Sequence, residues 1–221
     1  MTLPAERSRT PIAFVVEDDE SIRTLWRWLM ESNGIAVRTF NSASDFIREF
    51  PPGAPGCLVL DLRLPGMSGL ELQGYLKDRG IDIPIVFVTA HGDVRTAVTA
   101  IQRGAVDFIE KPFSYREAVS TVQKAFQRDA ERRDRQARQA QAAARLATLT
   151  ERERAVLRCV IAGKPNKVIA DELDISIKTV EFHRSKLMEK MAVDSVAGLV
   201  QLTLGFSLMD APQPGRLASG G

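Results

Sequence analysis

The first 126 residues alternate between short apolar runs and segments with a helical period, and this alternation restricts the fold more than any other feature. The apolar runs are IAFVV (12–16), IAVRTF (35–40), CLVLDL (57–62), IPIVFVTA (83–90) and AVDFI (105–109). Runs rich in β-branched and aromatic residues predict strands, and the segments between them space apolar residues as amphipathic helices do. We therefore expect a doubly wound α/β domain, with a five-stranded parallel sheet and helices on both faces.

The pattern becomes helical throughout after Thr150. Four amphipathic segments follow, at 150–162, 166–173, 176–191 and 195–204, separated by short breaks. This arrangement predicts a small all-α domain of four helices. The chain is thus expected to contain two domains of different class.

The segment between the two predicted domains has the composition of an exposed helix. Residues 113–162 contain neither Gly nor Pro, and residues 127–145 consist mainly of Ala, Gln and Arg. We expect a helical linker that extends the last helix of the first domain. A short dimeric coiled coil is the alternative, but no apolar heptad positions continue after Phe126. The expected boundaries are 11–126, 127–147 for the linker, 148–206, and a disordered tail at 207–221.

Composition excludes several classes of protein. The net charge of only +2 does not favour any class of charged partner. No apolar stretch approaches the ~20 residues of a membrane span. The N-terminal residues lack the apolar core of a signal peptide, so we expect a cytoplasmic protein with no membrane partner. Cys57 and Cys159 are isolated, without metal-ligand spacing, and are expected to be small buried hydrophobic residues.

Polar residues follow the predicted strands of the first domain. They are Glu17, Asp18 and Asp19 after strand one, Asp61 at the end of strand three, Thr89 in strand four and Lys111 after strand five. Each alone fits a helix cap, a strand or a turn, but strand ends meet at one edge of an open parallel sheet. Clustered carboxylates repel one another unless a cation lies among them, and hard oxygen ligands suit Mg²⁺. Asp61 is then a candidate nucleophile toward a phosphoryl group whose oxygens contact Lys111 and Thr89.

Four segments resemble the receiver domain of response regulators. They are VVEDDESIR (15–23), LVLDLRLPGMSG (58–69), VFVTAHGDV (86–94) and GAVDFIEKPF (104–113). The resemblance implies a flavodoxin-like fold in which Asp61 is the phosphoacceptor, Lys111 contacts the phosphate, and Thr89 and Phe108 form a switch pair. It also implies a cis bond between Lys111 and Pro112.

The same resemblance implies a Mg²⁺ site. Asp18 is the expected direct ligand, together with Asp61 and the backbone carbonyl of Arg63. Glu17, one methylene longer than the Asp of many receiver domains, would act through a water. Dehalogenase-type phosphatases also use an aspartyl nucleophile at a strand end, but they need a second Asp two residues later. Arg63 occupies that position, so this class is excluded.

Residues 163–191, GKPNKVIADELDISIKTVEFHRSKLMEKM, predict two helices joined by a tight turn at Asp174, with Ser176 as the N-cap of the second helix. On that helix Val180, Leu187 and Met191 share one face. A plain helical bundle would use the same apolar stripe, but the donors clustered on the other face favour a nucleic-acid surface.

Residues 148–206 resemble the LuxR-type helix-turn-helix, and the whole chain resembles the FixJ branch of the NarL/LuxR-type regulators. The resemblance implies that helix 176–191 enters the major groove. The expected base contacts are Glu181, Phe182 and Ser185. The expected backbone contacts are Lys164, Asn166, Lys167, Lys178, Thr179 and Lys186. The last helix resembles the dimerising helix of the family, with simple core packing as the alternative.

The predicted function is a phosphorylation-dependent transcriptional regulator. A sensor histidine kinase would phosphorylate Asp61 in the presence of Mg²⁺, and the modified chain would form a homodimer on double-stranded DNA. The chain would be no enzyme beyond its own phosphorylation and dephosphorylation. Two alternatives stay open. The helical domain could bind a protein instead of DNA, or the chain could be a phosphate sink that accepts and hydrolyses phosphoryl groups without regulating a promoter.

Overall fold

The computed structural model describes residues 10–90 and 94–203, with the backbone alone at Ala90 and 94–97. The chain divides into two compact units between Arg133 and Asp134, inside the predicted linker. The predicted tail, 207–221, lies outside the described residues. Each unit is described by itself below.

The first unit contains a five-stranded, wholly parallel sheet with the strand order β2-β1-β3-β4-β5, which confirms the predicted α/β class. Its elements are β1 (Ile12–Val16), α1 (Glu20–Ser32), β2 (Ala36–Phe40), α2 (Ala43–Glu49), β3 (Gly56–Asp61), α3 (Gly69–Asp78), β4 (Ile85–Ala90), α4 (Val94–Gln102), β5 (Asp107–Lys111) and the first part of α5 (Tyr115–Ala147).

Two strands depart from their predicted bounds. β4 begins two residues later than predicted, at Ile85, because Pro84 has no N–H to give to the ladder. β5 is shifted by two residues toward the C-terminus, since it is an edge strand that tolerates polar residues. The shift makes Lys111 the last residue of β5, paired in register with Ala90 of β4.

The sheet is covered by a hydrophobic core on each face. Successive residues of β1 alternate between the cores: Phe14 packs with Phe46 of α2 on one face, and Val15 packs with Trp26 of α1 on the other. All four side chains are almost completely buried. Strands buried on both faces explain the continuous apolar runs of the sequence.

The second unit contains the C-terminal part of α5 and four further helices, which confirms the predicted all-α class. These helices are α6 (Glu151–Ile161), α7 (Asn166–Leu173), α8 (Ile177–Met191) and α9 (Val196–Thr203). Val180, Leu187 and Met191 of α8 are fully buried in one core, as predicted. No helix in the described residues is long and apolar enough to cross a membrane.

The turn between α7 and α8 follows the helix-capping rules. Asp174 ends α7 in the left-handed region, with φ of 51°. The Ser176 side chain accepts a hydrogen bond from the Thr179 N–H and caps α8, which confirms the predicted N-cap. The tight turn fixes α8 against α6 and α7.

Candidate functional site

Asp61 is the last residue of β3, and its carboxylate is held in a defined orientation. The Arg63 N–H donates to Asp61 Oδ1 at 2.9 Å, so the chain turns around the side chain immediately after the strand. Gly69 packs against this turn, because a Cβ built there would lie 2.4 Å from the Asp61 carbonyl oxygen. The residue is only 7% exposed.

The three acids after β1 have three different environments. Glu17 is buried, Asp18 is exposed, and Asp19 is the N-cap of α1, accepting hydrogen bonds from the Ser21 and Ile22 N–H groups. A ligand oxygen from each of Glu17, Asp18 and Asp61 lies within 4.8 Å of the others. The third acid is therefore used by the helix, and the first two face Asp61.

Lys111 reaches these acids from β5. Its Nζ donates to Asp61 Oδ2 at 2.6 Å and to Glu17 Oε2 at 2.8 Å. The ammonium is a tethered cation between two carboxylates, and it reduces the repulsion that their proximity would otherwise cause. The edge of the sheet thus brings together the acids and the lysine that were predicted from strand ends.

The site shifts the pKa values of two of its members. Burial raises the pKa of Glu17 to about 7; the hydrogen bond from Lys111 opposes this rise, and the nearby Asp61 charge adds to it. Burial alone would lower the pKa of Lys111, but the hydrogen bonds to Asp61 and Glu17 leave it raised. Lys111 therefore remains a cation at neutral pH.

The two predicted switch residues lie on neighbouring strands. Thr89 is buried near the end of β4, and Phe108 of β5 is 41% exposed. Phe108 pairs in register with Phe87, two residues before Thr89. The peptide bond between Lys111 and Pro112 is cis, as predicted.

In the second unit, α8 presents an exposed surface opposite its buried stripe. Exposed residues include Lys178, Glu181, Phe182, Ser185 and Lys186, and the Phe182 side chain is 58% exposed. A single exposed Phe is common on protein surfaces, so Phe182 does not by itself identify an interaction surface.

Residues of α7 and the N-terminal turn of α8 adjoin this surface. Asn166 Oδ1 accepts a hydrogen bond from Arg184 of α8 at 2.6 Å. Lys167 is exposed beside it, and the Thr179 hydroxyl lies 2.8 Å from the Ser176 hydroxyl at the N-terminus of α8. The predicted DNA-facing residues thus lie on α7, α8 and the turn before α7, where Lys164 is located.

Two family models match the chain. The response regulator receiver domain matches residues 13–123, and the bacterial regulatory proteins of the luxR family match residues 147–203. The chain belongs to the response regulators with a LuxR-type DNA-binding domain.

Relatives of this response regulator are alike over nearly their whole length. Nodulation protein W of Bradyrhizobium diazoefficiens is 43% identical, with 91% of this chain and 90% of the relative covered. The transcriptional regulatory protein FixJ of Rhizobium meliloti is 44% identical, with coverage of 86% and 93%. Among solved structures, the response regulator StyR is 44% identical with a TM-score of 0.79, over 89% of this chain and all of that one. These relatives agree with the predicted resemblance to FixJ.

Two contacts of the receiver site were not predicted from the sequence of this response regulator. Arg23 of α1 donates to the carbonyl oxygens of Glu17 and Asp18, at 2.9 and 3.0 Å, and so fixes the backbone that carries the acids. Gly69 permits the close approach of α3 to Asp61. Arg23 is part of the segment VVEDDESIR, but an Arg in the first turns of a helix gives no sign of what it contacts.

Proposed function

We propose that Asp61 accepts a phosphoryl group from the phosphohistidine of a sensor histidine kinase. An Asp61 carboxylate oxygen forms the new bond to phosphorus, and the bond between phosphorus and the histidine nitrogen breaks. The observation that carries this proposal is the position of Asp61 at a strand end, beside two further acids and a lysine 2.6 Å away. A carboxylate that is oriented by Arg63 and Lys111 is prepared for this attack.

The residues around Asp61 fit a Mg²⁺ ion. Asp18, Asp61, Glu17 and the Arg63 carbonyl would hold it, since they offer the hard oxygen ligands that Mg²⁺ prefers. When bound, the ion supplies positive charge to the oxygens of the transferring phosphoryl group. Lys111, whose Nζ lies 2.6 Å from Asp61 Oδ2, would supply a second positive charge.

Phosphorylation changes the charge at Asp61 from −1 to about −2 and adds acceptor oxygens. The Thr89 hydroxyl then donates a hydrogen bond to a phosphoryl oxygen, and Lys111 moves from Glu17 toward the phosphate. Phe108 turns inward as Thr89 moves, which changes the surface formed by α4, β5 and α5. This change shifts an existing equilibrium toward a homodimer; reversal from 1:99 to 99:1 needs about 5.5 kcal/mol.

The dimer places two copies of α8 on DNA. Glu181, Phe182 and Ser185 would contact base edges, and Phe182 suits a thymine methyl group. Six further residues would contact the phosphate backbone: Lys164, Asn166, Lys167, Lys178, Thr179 and Lys186. Half-sites about one helical turn apart would be read together, so dimerisation strengthens binding. Because both the kinase donor and the DNA target would be met in the cytoplasm, we propose that the protein acts there.

The test is duplex affinity and oligomeric state before and after treatment with acetyl phosphate and Mg²⁺, for the native chain and Asp61→Asn. Phosphorylated native chain should dimerise and bind more tightly, whereas Asp61→Asn should not respond. Lys186→Ala should weaken binding to a duplex selected by the native chain and reduce the salt slope on that duplex by about 1. Phosphorylation without any change in dimerisation or affinity would instead favour a phosphate sink. Insensitivity to Lys186→Ala and salt would favour a protein-binding output.

A further inference from the structure

Two of the lysines proposed to contact DNA already hold ion pairs with acids of the second unit. Lys164 Nζ lies 2.6 Å from both carboxylate oxygens of Glu172. Lys186 Nζ lies 2.8 Å from Glu189 Oε2. In the described part of the chain, Lys167 and Lys178 carry no such acid partner.

The Lys164–Glu172 pair joins two positions of the chain and has one further contact, with α6. Lys164 lies in the turn before α7, and Glu172 lies near the C-terminal end of that helix. The ion pair therefore connects the turn to the last turn of α7. The Cys159 thiol of α6 donates a weak hydrogen bond to Glu172 Oε2 at 3.6 Å. The hydrogen bond between the partners lowers the pKa of Glu172 and raises the pKa of Lys164, so both stay charged at neutral pH.

We infer that Glu172 and Glu189 limit non-specific DNA binding by competing with phosphate groups for Lys164 and Lys186. The inference rests on the proposed role of these lysines as backbone contacts. A lysine that is neutralised within the protein gains little from a loosely bound duplex, since it exchanges one anion for another. A duplex docked on α8 in register holds its phosphates in fixed positions, and there a phosphate can displace the carboxylate.

The physical signature is a change in salt dependence. Each lysine that newly neutralises a phosphate releases counterions and steepens the dependence of log affinity on log salt by about 0.9. Removal of the Glu172 charge should therefore steepen the salt dependence of binding to random-sequence duplex by this amount. Binding to a duplex already docked in register should gain less, so the ratio of specific to non-specific affinity should fall.

The experiment is fluorescence anisotropy over a series of KCl concentrations with a random-sequence duplex and a duplex selected by the native chain. The variants are Glu172→Gln, Lys164→Gln and the double variant. Asp171→Asn is the matched control, because Asp171 is the neighbouring exposed acid of α7 and has no lysine partner in the residues described. Circular dichroism verifies that each variant is folded.

Glu172→Gln should steepen the slope on random duplex by about 0.9, and the double variant should match Lys164→Gln alone. If Asp171→Asn steepened the salt slope equally, or if the slope stayed steeper in the double variant than in Lys164→Gln, the effect would be general charge repulsion. Either result would overturn the inference. So would a slope on random duplex unchanged by Glu172→Gln.

The Lys186–Glu189 pair gives an independent second cycle, with Glu189→Gln and Lys186→Gln, and the same outcomes apply. Salt-insensitive binding or no binding by the native chain after treatment with acetyl phosphate and Mg²⁺ would overturn the proposed DNA function itself. Native binding weakened by Lys164→Gln, together with no effect of Glu172→Gln, would overturn only the present inference.

Discussion

Gly69 determines how closely α3 can approach Asp61 and the turn that follows it. A Cβ at this position would lie 2.4 Å from the Asp61 carbonyl oxygen and 3.1 Å from a ring carbon of Phe87. Both neighbours are parts of a packed core that cannot move far. The absence of a side chain at Gly69 is therefore required by the site.

We predict that Gly69→Ala lowers the free energy of unfolding of the first unit by about 2 kcal/mol, because the added methyl group overpacks the core. Gly74→Ala is the matched control in the same helix, since a Cβ there meets nothing within 4 Å. The control should be neutral or stabilising by up to about 1 kcal/mol. Urea unfolding followed by tryptophan fluorescence reports the first unit, which contains both tryptophans, Trp26 and Trp28. Equal effects of the two substitutions would contradict this account.

Asp18 is the most exposed member of the acid cluster, and this makes its role testable without loss of the fold. Saturating Mg²⁺ should raise the melting temperature of the native chain, since a ligand that binds only the folded state at 100 times its Kd adds about 2.7 kcal/mol. Asp18→Asn should abolish this rise and leave the metal-free melting temperature nearly unchanged. Glu20→Gln, another exposed acid just after β1, should retain the rise. Persistence of the full Mg²⁺ effect in Asp18→Asn would exclude Asp18 as a ligand.

At the scale of single residues, the sequence predicted which side chains meet at the edge of the sheet, but it did not predict the contacts that hold them there. Asp61 and Lys111 could be identified because Asp61 ends one predicted strand and Lys111 closely follows another. The separate use of Asp19 as a helix cap could not be distinguished from ligation, since three consecutive acids look alike in one dimension. The bond from Lys111 to Glu17 joins residues that are 94 positions apart.

Among the elements, α5 is attached to the sheet by a buried ion cluster. Asp129 accepts hydrogen bonds from the Gly56 N–H at 2.9 Å, from Arg132 at 2.5 Å and from Arg133 at 2.6 Å. Arg133 also donates to the carbonyl of Gly53 at 3.0 Å. Asp129 is 2% exposed, and these partners satisfy its buried oxygens.

We predict that Asp129→Ala lowers the free energy of unfolding of the first unit by about 2 kcal/mol, because it leaves the buried Gly56 N–H without an acceptor and removes the carboxylate that pairs with Arg132 and Arg133. Asp134→Asn, one turn later in α5, removes an acid whose pair with Arg138 is 72% exposed on both sides. This control should change stability by less than about 0.5 kcal/mol. Tryptophan fluorescence in urea measures both. A small effect of Asp129→Ala would show that α5 is held by its apolar contacts alone.

The start of α6 contains an ion pair with a defined pH dependence. The Glu153 side chain completes a capping box with Thr150 and accepts from Lys190 Nζ at 2.6 Å. The hydrogen bond from Lys190 holds the pKa of Glu153 below its ordinary value of 4.5. A lowered folded-state pKa means that the stabilisation is present above pH 4.5 and is lost as the pH falls through the folded-state value.

Glu153→Gln should therefore reduce the stability of the second unit by about 1.5 kcal/mol at neutral pH and weaken its loss of stability in acid. Glu151→Gln removes an exposed acid 3.8 Å from Arg154 and serves as the control, with little effect expected. Far-UV circular dichroism follows the unfolding of the helices between pH 7 and pH 3. An unchanged acid dependence in Glu153→Gln would assign that dependence to other carboxylates.

Periodicity predicted the elements well where burial dominates and less well where it does not. β1 begins and ends where the apolar run does, because the strand is buried on both faces. The edge strand β5 exposes Phe108 and carries Lys111, so its apolar run ends before the strand does. The attachment of α5 through Asp129 leaves no periodic signal, since its partner Gly56 is 73 positions away.

At the scale of the whole molecule, the chain joins two units with separate cores. The two sheet-facing cores belong to the first unit, and the core around Val156, Ile169 and Leu187 belongs to the second. The change from alternating strands and helices to helices alone made this division predictable from the sequence. The division point after Arg133 was not, because α5 runs through it without a break in composition.

The central claim is that Asp61 accepts a phosphoryl group, and intact mass after incubation with acetyl phosphate and Mg²⁺ tests it most directly. The native chain should gain about 80 Da, the mass of one phosphoryl group, and Asp61→Asn should gain nothing. The experiment is repeated with a phosphorylated sensor histidine kinase as the donor, because a selective site would not react with acetyl phosphate. An adduct on Asp61→Asn, or none on the native chain with either donor, would contradict the account.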